Sequence, residues 1–310
     1  MRPSWNWDFS SDMRNAIEKK AQGLDFDLFG ISPVRSLDDH GKRLKEWLER
    51  GHHGEMAYMN RNIEKRIDPR RLVDNAQSVI VTGMNYYRRY EPEKDQPVFS
   101  RYALGSDYHK VIKDRLHKLL AFIKERRPGT AGRVFVDTAP VMERAWAVEA
   151  GLGWIGKNSM LINKKLGSYF FIGLIITDAE LDYDSAENKD YCGSCRKCID
   201  ACPMSAIKED RTIDSNNCIS YLSIEHKGDM PLDYGEKAGR RVFGCDICQE
   251  VCPWNRRAPE TKIKEFEPLP EIKNYTGEKW KGISRDEFYS VFENSAVLRT
   301  GYRRFMNMLK

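Results

Sequence analysis

The chain reads as an α+β protein: a mixed α/β domain over residues 1–182, a compact cysteine module over 183–256 and a C-terminal extension over 257–310. Three observations predict this. Through the first 182 residues, apolar runs with strand spacing alternate with helical periodicities. All eight cysteines fall between Cys192 and Cys252. The polar, acidic stretch DYDSAENK, residues 182–189, separates the two regions.

In chain order, residues 12–21 predict a helix capped by Ser10 or Ser11. Residues 26–31 alternate as a strand does, and 37–50 predict a second helix that stops at Gly51. The β-branched run SVIVTGM, 78–84, is a buried strand. Residues 111–124 give the clearest helix, with Ile112, Leu116, Leu119, Leu120 and Ile123 on one face. Residues 134–137 form a short strand ending in the Asp137 carboxylate, and 141–150 are helical. The apolar segments 160–162 and 169–177 pair as a hairpin around 164–167, and 293–309 read as a closing helix.

Composition sets outer limits. The 310 residues suffice for a sizeable core, and 31% charged residues with a mean hydropathy of −0.64 predict a soluble protein. No stretch approaches the ~20 apolar residues of a membrane helix. The N-terminus has no basic segment followed by an apolar one, and no cysteine precedes Cys192, so the expected location is the cytoplasm. The formal charge of +5 falls to about +1 once eight thiolates and two oxidised cluster cores are counted. Nucleic-acid binding therefore needs a local basic patch, not a global field.

The cysteines read C-x2-C-x2-C-x3-C-P from Cys192 to Pro203, then Cys218, then C-x2-C-x3-C-P from Cys245 to Pro253. Iron–sulfur cubes need soft thiolate ligands; short x2 loops cap one cube, and the x3-C-P step carries the fourth cysteine to a second. Cys192, Cys195, Cys198 and Cys252 are thus expected to hold one [4Fe–4S] cluster, and Cys202, Cys218, Cys245 and Cys248 the other. A zinc site would use two pairs and leaves the triple spacing without a reason. Residues 219–244 form an unusually long excursion between ligands of the second cluster.

Upstream stand VDTAPVMER, 136–144, AGLGWIGKNS, 150–159, and GSYFF, 167–171. With them go Glu64-Lys65-Arg66, Arg101-Tyr102-Ala103, Asp107-Tyr108-His109, Tyr221 and Gly244-Cys245-Asp246. Together with the cysteine module, over residues 12–255, these segments resemble the epoxyqueuosine reductase family. The resemblance implies a cytoplasmic enzyme of the last step of queuosine synthesis, which reduces the epoxide of epoxyqueuosine at the tRNA wobble position to a cyclopentene. It implies cobalamin and two [4Fe–4S] clusters, in a cobalamin-binding domain of the reductive-dehalogenase kind followed by a ferredoxin-like domain. Ending at Lys310, the chain resembles a short form without C-terminal helical repeats, which leaves less surface for gripping the tRNA body.

By the same match Asp137 is the general acid, protonating the departing oxygen opposite cobalt, with apolar neighbours expected to raise its pKa. Its position alone equally fits a helix cap before Pro140. Lys157 and Asn158 follow a glycine-rich run that suits either tight packing or approach to a corrin. Arg66, Ser100, Leu161, Asn163 and Ile172 match positions lining the corrin. Ser220, Cys245 and Asp246 lie where the cluster module would face it. The D-x-H-x-x-G motif, whose histidine coordinates cobalt, is missing; His109 is either a polar residue at a helix start or a direct participant.

Arg70, Arg71, Lys279, Trp280, Lys281 and the segment 299–304 are candidate tRNA contacts through phosphate pairing and base stacking, or else a solvated basic face. The expected partners are tRNA carrying epoxyqueuosine and an electron donor of flavodoxin or ferredoxin type, with a monomeric chain and no membrane. A cobalamin enzyme acting on a small organohalide and a non-catalytic electron carrier are the rival readings. The first would bring a secretion signal and a membrane partner; the second has no use for a large domain ahead of the clusters.

Overall fold

A computed structural model describes residues 9–186 and 189–309. Its centre is a four-stranded sheet in the order β1-β2-β7-β4, made of β1 (Leu28–Pro33), β2 (Ser78–Asn85), β7 (Phe170–Thr177) and β4 (Gly132–Phe135). Every pairing in it is antiparallel, with Ile80 opposite Ile31 and Ile175.

Side chains alternate across the sheet, and both faces are covered. Ile31, Ile80 and Ile175 face Ile17 and Ala21 of α1 (Phe9–Gln22) and Ile112 and Leu116 of α4 (Tyr108–Arg126). Val79, Val81, Leu174 and Ile176 face Ala145 and Trp146 of α5 (Glu143–Glu149). Burial on both sides is why β2 is mostly apolar and has no exposed residue, its polar Ser78, Thr82 and Asn85 being buried with the rest. The predicted face of α4 is buried at all five positions, Ile112, Leu116, Leu119, Leu120 and Ile123. Two short helices, α2 (Asp38–Glu49) and α3 (Ile63–Ile67), lie between β1 and β2 in sequence.

Several sequence expectations need correcting. Ser10 and Ser11 lie inside α1, which starts at Phe9, rather than ahead of it. The strand β4 stops at Phe135, short of Asp137, which has a positive φ of 54°. The expected hairpin does not form: β6 (Leu161–Ile162) pairs with β5 (Trp154–Ile155) in a separate two-stranded sheet, while β7 joins the main one. A single bridge, Asn163 to Gly167, closes the turn between them. The connector 182–189 is not a free linker where described, since Asp184 pairs with Arg14 at 2.7 Å and exchanges hydrogen bonds with Ile31; Glu187 and Asn188 lie outside the described residues.

The cysteine module carries two four-residue helices, α6 (Lys197–Asp200) and α9 (Ile247–Glu250). Each begins inside a C-x2-C step and ends two residues before a C-P pair. The excursion 219–244 folds as α7 (Ile219–Ile224), α8 (Tyr234–Ala238) and β8 (Arg241–Phe243). That last strand pairs in parallel with β3 (Val98–Phe99), from the first half of the chain.

The C-terminal helices α10 (Pro270–Asn274), α11 (Gly277–Lys281), α12 (Arg285–Val291) and α13 (Tyr302–Met308) close over the β3–β8 ribbon. Phe99 and Phe243 share a core with Trp280, Phe288, Phe292 and Phe305. The expected helix over 293–309 is broken: a 3-10 turn spans Ala296–Thr300, and Gly301, at φ 72°, ends it before α13.

Candidate active site

A cleft of about 1350 Å³ opens beside the main sheet, larger than the roughly 300–1,000 Å³ of most small-molecule sites. Its walls come from the start of α4, the loop from Asp137 to Arg144, Tyr58 and Arg66 near α3, Ser220 of α7, and Arg299.

The Asp137 carboxylate projects into this cleft. Thr138 N–H donates to Val136 O at 2.6 Å, so the chain turns sharply at Asp137, in the left-handed region that aspartate tolerates better than most residues. Its Oδ2 accepts a hydrogen bond from Tyr108 Oη at 2.7 Å and contacts His109 Nε2 at 3.2 Å. It does not cap α5, whose N-cap is Met142 with no side-chain bond. The helix-cap reading of Asp137 is therefore excluded. Asp107 is the residue that caps, accepting from His109 N–H at 3.0 Å at the start of α4, and the same Oδ1 meets His109 Nδ1 at 2.7 Å. His109 thus sits at a helix start and also lines the cleft.

The electrostatics reverse one expectation. Burial works to raise the Asp137 pKa, as the sequence suggested. The hydrogen bonds from His109 and Tyr108, with the charges of His109 and Arg299, outweigh it and hold the carboxyl below its usual range. The side chain remains 58% open to the cleft, so water screens part of that hold. His109 moves the other way. Burial lowers its pKa, but the bonds to Asp107 and Asp137 raise it to about 9. Glu143, whose Oε1 accepts Asp137 N–H at 2.5 Å, is pushed up to about 8 by burial and by the Asp137 charge. Proton affinity in this group is thus raised at His109 and Glu143 and lowered at Asp137.

Of the predicted cofactor contacts, Arg66, Asp137 and Ser220 border the cleft. Arg66 gives one hydrogen bond, to Tyr58 O at 3.2 Å, and its Nε has no partner. Ser100, Lys157, Asn158 and Asp246 lie instead along the seam between sheet domain and cysteine module. Ser100 Oγ bonds Asp246, Lys157 Nζ reaches Gly193 O at 2.7 Å, and Asn158 Nδ2 reaches Cys248 O at 3.3 Å. Cys245 joins Ser100 and Asp246 around a second, smaller cavity of about 280 Å³. Asn163 holds its own turn through Leu152 O at 2.7 Å and Lys165 N at 2.8 Å. Leu161 is buried in the core beneath α5, and Ile172 packs against it half-buried.

The seam also holds a buried polar cluster that the sequence reading missed. Asn255 Oδ1 accepts Ser168 N–H at 2.7 Å, its Nδ2 donates to Gln249 O at 2.7 Å, and Gln249 Nε2 donates to Ser168 Oγ at 3.0 Å. Glu143 and Arg144 were missed as well. A glutamate in the first turn of a helix ordinarily reads as a dipole partner, so only the loop's return toward Asp137 marks it out.

None of the eight cysteines is in a disulfide. Burial first, and then neighbouring thiols, raise the pKa values of Cys198, Cys218, Cys245, Cys248 and Cys252, and those neighbours fall into two sets. Cys198 feels Cys192 and Cys252, and Cys252 feels Cys192 and Cys195. Cys218 feels Cys202, Cys245 feels Cys218, and Cys248 feels Cys245 and Cys218. Cys248 also feels Cys198 across the two sets. Two adjoining sets of thiols thus match the grouping expected from the cysteine spacing, although among the described residues they are not drawn together as a formed metal site.

Charge and stacking at the tRNA candidates differ from expectation. Trp280 is fully buried and stacked on Phe292, so no base can reach it. Arg70 pairs with Asp68, Arg71 with Glu64, Lys279 with Glu287 and Arg299 with Glu225.

Comparison with known proteins decides the family. Epoxyqueuosine reductase from Cyclobacterium marinum is 45% identical over 299 residues, spanning 95% of this chain and 96% of that protein. The chain belongs to the epoxyqueuosine reductase family. The enzyme of that name from Pseudomonas aeruginosa is 41% identical over 96% of this chain and 84% of its own. Residues 66–138 match the family described as epoxyqueuosine reductase QueG, DUF1730, and 191–255 match a 4Fe-4S double cluster binding domain. A solved epoxyqueuosine reductase with an epoxyqueuosine-modified tRNA-Tyr stem loop is 29% identical, with TM-score 0.90 over 96% of this chain and 80% of that one. The Bacillus subtilis epoxyqueuosine reductase, solved with a catalytic aspartate loop swung out of its active site, gives 28% and 0.89 over the same shares. Among the described residues of this family member, no helix is long and apolar enough to cross a membrane.

Proposed function

We propose that this oxidoreductase reduces epoxyqueuosine to queuosine at the wobble position of tRNA in the cytoplasm, with Asp137 passing the proton to the departing epoxide oxygen. The observation that carries the reading is the Asp137 carboxylate, fixed by Tyr108 and His109 in a cleft whose volume suits a large cofactor and a nucleoside together.

Cobalamin fits this cleft by size and by its unpaired guanidinium nitrogen at Arg66; Arg66 and Ser220 would hold it. When bound it supplies a reduced cobalt centre for the attack on the epoxide, replenished by electrons from two [4Fe–4S] clusters. Cys192, Cys195, Cys198 and Cys252 would bind one cluster, and Cys202, Cys218, Cys245 and Cys248 the other. The seam contacts at Ser100, Lys157, Asn158 and Asp246 keep the cysteine module seated against the sheet domain, so that the distance between cages and cleft stays fixed. Asp137 orients the oxygen and hands it a proton while Tyr108 holds the carboxylate in place. A flavodoxin- or ferredoxin-type protein would be the donor.

The test is turnover. The protein is expressed with cobalamin, purified anaerobically and mixed with epoxyqueuosine tRNA and a chemical reductant; queuosine should appear in the nucleoside digest. No loss of epoxyqueuosine by a preparation carrying both clusters would overturn the reading.

A further inference from the structure

Removing an epoxide oxygen to leave an alkene consumes two electrons and two protons: both C–O bonds break, a C=C bond forms and the oxygen departs as water. Asp137 can hold one proton at a time. The reaction therefore needs a second group that reloads Asp137 between deliveries.

We infer that His109, held between Asp107 and Asp137, is that group: it passes each proton from Nε2 to Asp137 Oδ2, which hands it to the substrate oxygen. This rests on the reductase reading above. The electrons are those of the proposed clusters; the protons come from cleft water, which reprotonates His109 after each transfer.

The geometry leaves the ring little freedom. Asp107 Oδ1 takes both the backbone N–H and Nδ1 of His109, at 3.0 and 2.7 Å. The ring stacks on Tyr108 at 4.1 Å, and Tyr108 stacks on Phe171 at 4.2 Å. Nε2 then points to Asp137 Oδ2, 3.2 Å away. His109 keeps only 20% of its side chain exposed, against 58% for Asp137. It therefore acts through Asp137, positioning and reloading it without touching substrate.

The charges around it favour a stored proton. Asp107 and Lys110 lie on its own turn, Asp137 faces it from the loop after β4, Glu143 from α5, and Arg299 adds its charge to Asp137 from the far wall. With the two carboxylates dominant, the imidazolium persists to about pH 9, so the store is full at neutral pH. Asp107, His109, Asp137 and Glu143 titrate as a coupled set, and the alkaline limit belongs to the set.

His109→Gln tests the inference in the holoenzyme with epoxyqueuosine tRNA and a chemical reductant. Expected are a fall in kcat of about 10²–10⁴-fold, an unchanged KM for tRNA and partial rescue by added imidazole. The parent's rate should fall as pH rises through about 9, and this limb should be absent in the variant. Asp107→Asn provides a second route should His109→Gln fold poorly: it keeps the histidine, and the alkaline limb should move to lower pH. A His109→Gln enzyme with the parent's kcat and pH limb, or an unmoved limb in Asp107→Asn, overturns the inference and leaves the reductase reading intact. A parent enzyme that never consumes epoxyqueuosine overturns both.

Discussion

The backbone N–H of Asp137 donates to Glu143 Oε1 at 2.5 Å, six positions along the chain. The carboxylate of one acidic residue is thus aimed by the side chain of another, and each bears on the other's charge. Burial and the Asp137 charge raise Glu143 to about 8, so this loop is sensitive to pH in the neutral range.

That gives a stability prediction. The unfolded glutamate has its ordinary value near 4.5 and the folded one about 8. Between these values the native state binds more protons than the unfolded state, so stability falls as pH rises through the window. Glu143→Gln keeps an acceptor for Asp137 N–H and removes the titration. Thermal midpoints at pH 6 and pH 8.5 should differ less in the variant than in the parent. An equal difference in both would show that Glu143 does not carry the effect.

Asp137→Asn should retain both clusters and bound cobalamin, seen in the visible spectrum, and lose turnover by about 10²–10⁴-fold. Asparagine can still accept from Tyr108 but cannot relay a proton. Parental turnover would remove Asp137 from its role.

Asn255→Ala should loosen the seam. It strands Ser168 N–H and Gln249 O, both in a buried cluster, at a cost of about 1–3 kcal/mol. The readout is the denaturant midpoint together with the rate of cluster bleaching. A midpoint equal to the parent's would mean that water replaces the amide without loss.

Gly244→Ala should do more damage than its size suggests. Gly244 has φ 71°, and a Cβ there would meet Ser100 Cβ at 2.5 Å, next to the Cys245 ligand position. Lower iron content per chain is expected, measured by iron and sulfide analysis; full occupancy would show that the ribbon can shift.

Trp280→Phe should leave tRNA affinity unchanged, measured by filter binding across a salt series, because Trp280 is enclosed by Phe99, Phe292 and Phe305. Truncation to alanine should cost about 3–5 kcal/mol of stability. Weaker tRNA binding by an otherwise stable Trp280→Phe protein would return it to the interface.

What was legible in the sequence follows the physics of each signal. The α4 face and β2 were readable because burial imposes a period on side-chain type, and Ile112 through Ile123 obey it. The cysteine spacing was readable because ligand geometry is local. The β5–β6 pairing was not, because two-residue strands carry no periodic signal, and 160–162 looked continuous with the next apolar run. Trp280 between two lysines looked like a surface stack, since a five-residue helix shows one face or the other only once its partners are placed. The Asp137 environment was half legible. Its apolar neighbours announced burial, but the opposing pull of His109 comes from residues 28 positions earlier, and no window of sequence joins them.

The parallel pairing of β3 with β8 sets the order in which this protein can be built. Val98 finds Arg241 only after about half the chain has intervened, a long-range contact of the kind that slows folding. Cys245, Cys248 and Cys252 follow directly behind β8. Under the proposed ligand assignment, the triplet Cys192, Cys195 and Cys198 precedes β8 in the chain, whereas its fourth ligand, Cys252, follows it. On that assignment, a chain that stops before Cys245 offers neither cluster its four thiols.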